Sequence, residues 1–219
     1  MHENPGQYLL WSDDSLLAVN KPSGILTLPD GYDKTLPHLR SIMEPSFGRL
    51  WIVHRLDRET SGVIVLARNA DAHRHLNTQF QEKRASKLYH ALVLGQPPWE
   101  NLTIDDPLRP DGDRRHRTVV DPVRGKSATS KLKVLRRFDG YSLLEVAPRT
   151  GRSHQIRAHL KHAGYPILAD PLYGDPTDPC HTLLPRLALH ALSLTLIHPE
   201  TEESMKFEAP YPQDFASLL

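Results

Sequence analysis

A single cysteine, Cys180, occurs among 219 residues. No internal disulfide can form, and a reducing compartment is the natural setting. No apolar run approaches the ~18 residues that would span a bilayer, so no membrane partner is expected. The first fifteen residues lack a basic stretch followed by an apolar core, and no secretory leader is expected. Metal chemistry has little to build on. Histidine is frequent, at 13 residues, yet there is no HExxH and no Cys/His cluster, so no metal site is expected. Walker and Rossmann glycine patterns are missing too, as are internal repeats and low-complexity tracts. Disorder is excluded by 39% hydrophobic and 24% charged residues, an ordinary globular balance. The length suits one large domain or two small lobes.

The formal net charge is only +1 and argues neither for nor against a polyanionic partner. Its distribution says more. Residues 109–137 carry ten Lys or Arg against three Asp, whereas residues 199–219 carry five acids against Lys206. Such a chain can offer one basic face to a nucleic acid while staying near neutral. A charge run taken alone is more commonly a solvated loop. Proline, at 19 residues, points to many loops and boundaries.

Periodicity supplies the elements. Residues 16–20 read as a short strand that runs into the turn Lys21-Pro22-Ser23-Gly24, with an extended pattern resuming over 25–28 and a short helix around 36–43. Val63-Ile64-Val65-Leu66-Ala67 is β-branched, short and bounded, and reads as a buried strand. A helix follows over 70–83, capped by Asn69, with Ala72, Leu76 and Phe80 on one stripe. His73 and His75 fall on its polar flank. Residues 87–95 form the next strand, and residues 97–128 show little periodicity. Asp139-Gly140 between two extended runs signals a hairpin; a second is expected from 192–197 and 204–209. Ser153 is positioned to cap a helix reaching to 163 and closed by Gly164. Hairpins with few helices imply an α+β fold around a mixed, largely antiparallel sheet.

Residues 54–62, His-Arg-Leu-Asp-Arg-Glu-Thr-Ser-Gly, immediately precede the buried strand. Asp57 therefore sits in a loop held from below by packed structure, where functional groups tend to be placed. Residue chemistry alone leaves Asp57 and Thr60 equally readable as local Asx-type turns. The nine residues, however, resemble the signature loop of the RluA-type pseudouridine synthases, in which the Asp is the catalytic carboxylate. VNKPSGILTLP at 19–29 also fits that family's pattern. RTGRSHQIRAHL at 149–160 is similar to the family motif whose second Arg contacts the catalytic carboxylate; that residue is Arg157. By residue pattern Tyr89 is a core tyrosine on a strand face shared with Ala91 and Val93. The resemblance makes it instead the active-site Tyr that packs on the target base.

The resemblance covers residues 9–210, nearly the whole chain. It implies a pseudouridine synthase catalytic fold over residues 1–219 as a single domain, without the N-terminal S4-type RNA-binding domain that some members carry. It implies isomerisation of uridine in structured RNA, a transfer RNA anticodon-type stem-loop, large-subunit ribosomal RNA, or both. It implies Asp57, Tyr89 and Arg157 as catalytic residues. Arg55 matches the basic residue that helps hold the RNA once the base is extruded. Arg114, Arg115, Arg117 and Lys126 of the basic segment, with Arg152, are the further RNA contacts expected. Leu189-His190-Ala191 is similar to a segment lining the pocket. The reaction is redox-neutral and needs no cofactor. A cytoplasmic monomer is expected. The alternative of a different class is a non-catalytic RNA-binding or RNA-chaperone module that uses the same pocket.

Overall fold

The structure, a computed structural model, describes residues 5–31, 33–175, 177 and 179–219. A 3-10 turn, Pro5–Tyr8, leads into β1 (Leu9–Ser12) and β2 (Leu16–Lys21). Helix α1 (Leu39–Phe47) and the two-residue β3 (Trp51–Ile52) precede β4 (Ser61–Ala67), α2 (Ala70–Gln81) and β5 (Ser86–Leu94). The proline-rich stretch contains β6 (Asn101–Ile104), β7 (Leu108–Arg109) and β8 (Val119–Val120). Then come the hairpin β9 (Ser130–Arg137) and β10 (Tyr141–Pro148), α3 (Gln155–His162), a 3-10 turn (Pro179–Thr182), the hairpin β11 (Leu189–Ile197) and β12 (Ser204–Glu208), and α4 (Gln213–Ala216). Among the described residues no helix is long and apolar enough to cross a membrane.

The chain divides into two compact units, Met1–Lys87 with Ala191–Pro212, and Leu88–His190 with Gln213–Leu219. In the first, β4 is central: β2 pairs with it antiparallel from Leu16↔Ala67 to Lys21↔Gly62, and β3 adds Trp51↔Ala67 and Ile52↔Leu66. Every residue of β4 is buried, as expected of an apolar run with no polar alternation. Val63, Val65 and Ala67 join Leu16 and Ala18 in a core closed by Ala72 and Leu76 of α2 and by Leu194, Leu196 and Phe207 of the last hairpin. Asn69 caps α2 by accepting from Ala72 N–H at 2.8 Å. Buried Gln79 anchors the helix to the strand Leu189–Ile197: its Nε2 donates to Ile197 O at 2.7 Å and its Oε1 accepts from Ile197 N–H at 2.8 Å.

In the second unit β5, β10, β9 and β6 pair antiparallel in that order. Tyr89 stands opposite Val146. The Asp139-Gly140 turn joins β9 to β10, with Gly140 at φ 79°, a value that suits glycine. Leu108, Ala128, Ala158 and Tyr173 form a smaller core of their own.

Three local expectations are corrected. Residues 25–28 do not form a strand; Leu26 makes only an isolated parallel bridge to His38. Helix α1 starts at Leu39, because His38 and Ser41 form a reciprocal cap there, and it runs on through Pro45. Helix α3 is not capped by Ser153. Its N-cap is His154, in a left-handed conformation (φ 50°) and with no side-chain cap bond. The Gln155 side chain closes the turn instead, its Oε1 accepting from Arg152 N–H at 3.0 Å and from the Thr150 hydroxyl at 2.7 Å. This folds the chain back over its own first turn.

Candidate functional site

In the first unit the Asp57 loop is gripped on both sides of the carboxylate. Buried Thr27 donates its hydroxyl to Leu56 O at 3.0 Å and accepts Leu56 N–H at 3.2 Å. On the other side Gly24 N–H donates to Arg58 O at 2.9 Å and the Ser23 hydroxyl donates to Glu59 O at 2.8 Å. Lys21 is fully buried, and its ammonium donates to the carbonyls of Ile25, Pro22 and Arg58 at 2.8, 2.9 and 3.1 Å. A buried cation satisfied by carbonyls costs far less than an unpaired one, so the Lys-Pro-Ser-Gly turn and the Asp57 loop are locked as one piece. Asp57 itself is half-buried and starts a tight turn, its carbonyl accepting from Thr60 N–H at 3.1 Å. The local turn that residue chemistry allows at Asp57 is therefore present.

Behind the loop, His54 continues what β3 leaves unfinished. Its Nε2 accepts Val65 N–H at 3.0 Å, and its ring stacks on Phe80 at 4.4 Å. Accepting through Nε2 requires the neutral ring with its proton on Nδ1. Burial, with the Lys87 ammonium nearby, pushes the His54 pKa down from 6.5 to about 3. Gly62 ends the loop at φ 115°, and a Cβ there would lie 2.2 Å from Ala191 O. Arg55 is exposed.

In the second unit Tyr89 lies half-buried on β5. Arg157 on α3 is only 4% exposed. Its Nε and Nη2 donate to Asp170 Oδ2 and Oδ1 at 2.8 and 2.7 Å. The sequence reading missed Asp170 and Tyr173. The signal available was the Asp170-Pro-Leu-Tyr-Gly174 turn, where Asp precedes Pro and Gly closes. Asp170 Oδ1 accepts the backbone N–H of Leu172 and Tyr173 at 2.9 and 3.0 Å. Lys21 and Thr27 were missed as individual residues, though both lie inside the 19–29 motif.

The basic segment is partly neutralised from within. Arg109 pairs with Asp121 at 2.6 Å and Arg117 with Asp113 at 2.7 Å, and His116 pairs with Asp111. Arg114, Arg115 and Lys126 are exposed, whereas Arg117 is half-buried. Arg115 Nη2 reaches Pro171 O at 3.4 Å, and Arg152 Nε donates to Ser127 O at 3.0 Å. Of the six residues expected to bind RNA, Arg115, Arg117 and Arg152 thus also make contacts within their own unit, and of these only Arg117 is half-buried. Among the described residues no group of three or more His, Cys, Asp or Glu could hold a metal ion.

This architecture is that of a pseudouridylate synthase domain. Human RNA Pseudouridylate Synthase Domain Containing 1 matches it with a TM-score of 0.79 and 27% identity, over 93% of this chain and 83% of that one. Residues 15–162 match the RNA pseudouridylate synthase family, and the chain belongs to that family. Ribosomal large subunit pseudouridine synthase D of Neisseria meningitidis is 37% identical over 224 residues, 96% of this chain, and the chain spans only 60% of that protein's length. The dual-specificity RNA pseudouridine synthase RluA of Escherichia coli is 39% identical over 210 residues, covering 95% of this chain and 94% of the relative. The α+β fold and the family resemblance read from the sequence are borne out.

Proposed function

We propose that this protein isomerises uridine to pseudouridine in structured RNA, with Asp57 as the essential carboxylate. The observation that carries the reading is the Asp57 loop itself: a nine-residue signature, in a chain of this family, gripped by Lys21, Ser23, Gly24 and Thr27 ahead of a fully buried strand. A preorganised carboxylate suits glycosidic chemistry because it can stabilise or capture cationic character at C1′. The N1–C1′ bond breaks, the base turns, C5 joins C1′, the C5 proton leaves and N1 gains one. No electrons are exchanged, so no cofactor is required. Arg157 is the motif arginine that serves the carboxylate. Tyr89 offers the extruded uracil a flat face, worth ~1–3 kcal/mol in base–aromatic stacking, and a hydroxyl for proton transfer at C5. Base extrusion from a stem-loop is the step that makes such a face necessary.

Arg55, Arg114, Arg115 and Lys126 supply phosphate contacts in this reading. Residues 1–219 act as one catalytic domain, as a cytoplasmic monomer. The substrates are an anticodon-type stem-loop, large-subunit ribosomal RNA, or both; the name of the Neisseria meningitidis relative supports the ribosomal part, and the words dual-specificity in that of the Escherichia coli relative support more than one RNA. Release of tritium from C5-labelled uridine in such RNAs tests the activity. Asp57→Asn keeps the side-chain shape and is expected to abolish release while RNA affinity stays within a few fold. Turnover by the pure Asn variant would remove Asp57 from its role. Tight RNA binding by the wild-type protein with no tritium release would favour the alternative, a non-catalytic RNA-binding or chaperone module.

A further inference from the structure

Arg157 is oriented by the protein before it meets any RNA. The side-on pair with Asp170 commits the Nε–Nη2 edge of the guanidinium. Any other acceptor must be met through Nη1 and the outer N–H of Nη2. Both side chains are buried, at 5% and 0% exposure. The charge of Arg157 is thereby compensated, and what it offers is directed N–H groups more than net charge. Asp170 is fixed in turn by the N–H groups of Leu172 and Tyr173. The Tyr173 ring lies 5.0 Å from the Arg157 guanidinium and 5.8 Å from that of Arg117. The Tyr173 hydroxyl accepts Thr118 N–H at 2.8 Å and donates to Thr118 O at 3.1 Å. One tyrosine thus ties Arg157 to the segment that carries Arg114, Arg115 and Arg117.

We propose that Asp170 and Tyr173 are positioning residues: Asp170 sets the direction of the Arg157 guanidinium, and Tyr173 holds the arginine segment in register with it. The proposal rests on the functional reading above, in which Arg157 serves the reaction. A pair that merely stabilised the fold would leave the folded fraction of any variant fully active. A pair that aims a catalytic group makes the rate fall in molecules that are folded and have bound RNA.

Asp170→Asn separates the two cases. It keeps an Oδ1 for Leu172, Tyr173 and Nη2, and sets an amide N–H₂ against the Arg157 Nε–H. Single-turnover conversion at saturating RNA, normalised to folded protein well below the melting temperature, is expected to fall by about 10–100-fold, the scale of a small misplacement. The RNA dissociation constant is expected to stay within about twofold of wild type. Tyr173→Phe keeps the ring and loses the Thr118 tether, with a smaller fall in rate at unchanged affinity. A wild-type rate per folded molecule in Asp170→Asn overturns the proposal; if that variant does not fold, a wild-type rate in Tyr173→Phe does so. The NMR signal of the Arg157 Nε–H supplies a readout independent of turnover. It is expected to exchange slowly in wild type and in Asp57→Asn, and rapidly in Asp170→Asn; retained protection in Asp170→Asn also overturns the proposal. A wild-type protein that converts no RNA yet shows this exchange pattern would instead defeat the functional reading alone.

Discussion

His54 shows how a residue three positions from Asp57 acts through protonation without touching chemistry. Its folded pKa of about 3 lies below the ordinary 6.5, so between those values the unfolded chain binds a proton that the folded chain refuses. Stability from the neutral ring is therefore complete above pH 6.5 and is lost as pH falls toward 3, at up to ~1.4 kcal/mol per pH unit. His54→Gln can still accept Val65 N–H but cannot titrate. Its urea-unfolding free energy is expected to decline less steeply than wild type between pH 6.5 and 4; identical slopes would mean that His54 is not the group responsible. Gly62 is the other residue that the loop cannot exchange. With φ 115° and a Cβ meeting the Ala191 backbone at 2.2 Å, Gly62→Ala must displace main chain rather than a side-chain tip. A loss of several kcal/mol is expected on the scale of backbone strain combined with overpacking, read as a lowered melting temperature.

At the scale of elements, the basic segment divides by how its arginines are used. Arg114 and Arg115 are exposed, and in the proposed reading each phosphate they neutralise would steepen the salt dependence of RNA binding by roughly one unit of slope. Arg114→Gln with Arg115→Gln is expected to weaken all RNAs alike and flatten the slope. Arg117→Gln, removed from Asp113 and Tyr173, is expected to lower the melting temperature with a smaller effect on slope. Equal slopes for all variants would leave the segment as a solvated loop. This division was not legible in the sequence, where all ten basic residues look alike. What was legible had a local cause. Strand β4, helix α2 and both hairpins follow from β-branched runs, a four-residue apolar stripe and turn dipeptides. Helix α3 was misread at its start because Gln155, not Ser153, closes the turn, through Thr150 and Arg152. The supports of the candidate site were illegible for the same reason: Lys21 meets a carbonyl 37 residues away, and Arg157 meets Asp170 across 13. Motif resemblance marked Asp57 and Arg157, and its 19–29 segment contains Lys21 and Thr27, but it carried no information that these residues hold the Asp57 loop.

Over the whole molecule, neither unit is a continuous stretch of chain. The first is completed by Ala191–Pro212 and the second by Gln213–Leu219, so residues far along the sequence finish structures begun much earlier. The last seven residues bear this out physically. Phe215 is fully buried, and Asp214 accepts from Arg186 at 2.7 and 2.8 Å. Tyr141 donates its hydroxyl to Leu218 O at 3.1 Å, and Arg136 donates to Leu219 O at 2.7 Å. Burial works to raise the Asp214 pKa, but the hydrogen bonds and charge of Arg186 and the Phe215 N–H bring it below 3.8. Its contribution is therefore present above that value and is lost as pH falls through the lower folded pKa. Phe215→Ala is expected to cost ~3–5 kcal/mol, the usual range for a buried Phe. Deletion of residues 213–219 should cost at least as much. Because these contacts are made to β9, β10 and the chain near Arg186, amide exchange should quicken first in β9 and β10 of the second unit. Strands β2 and β4 of the first unit should keep their protection longer. Simultaneous loss of protection in all four strands would show instead that the two units unfold as one cooperative body.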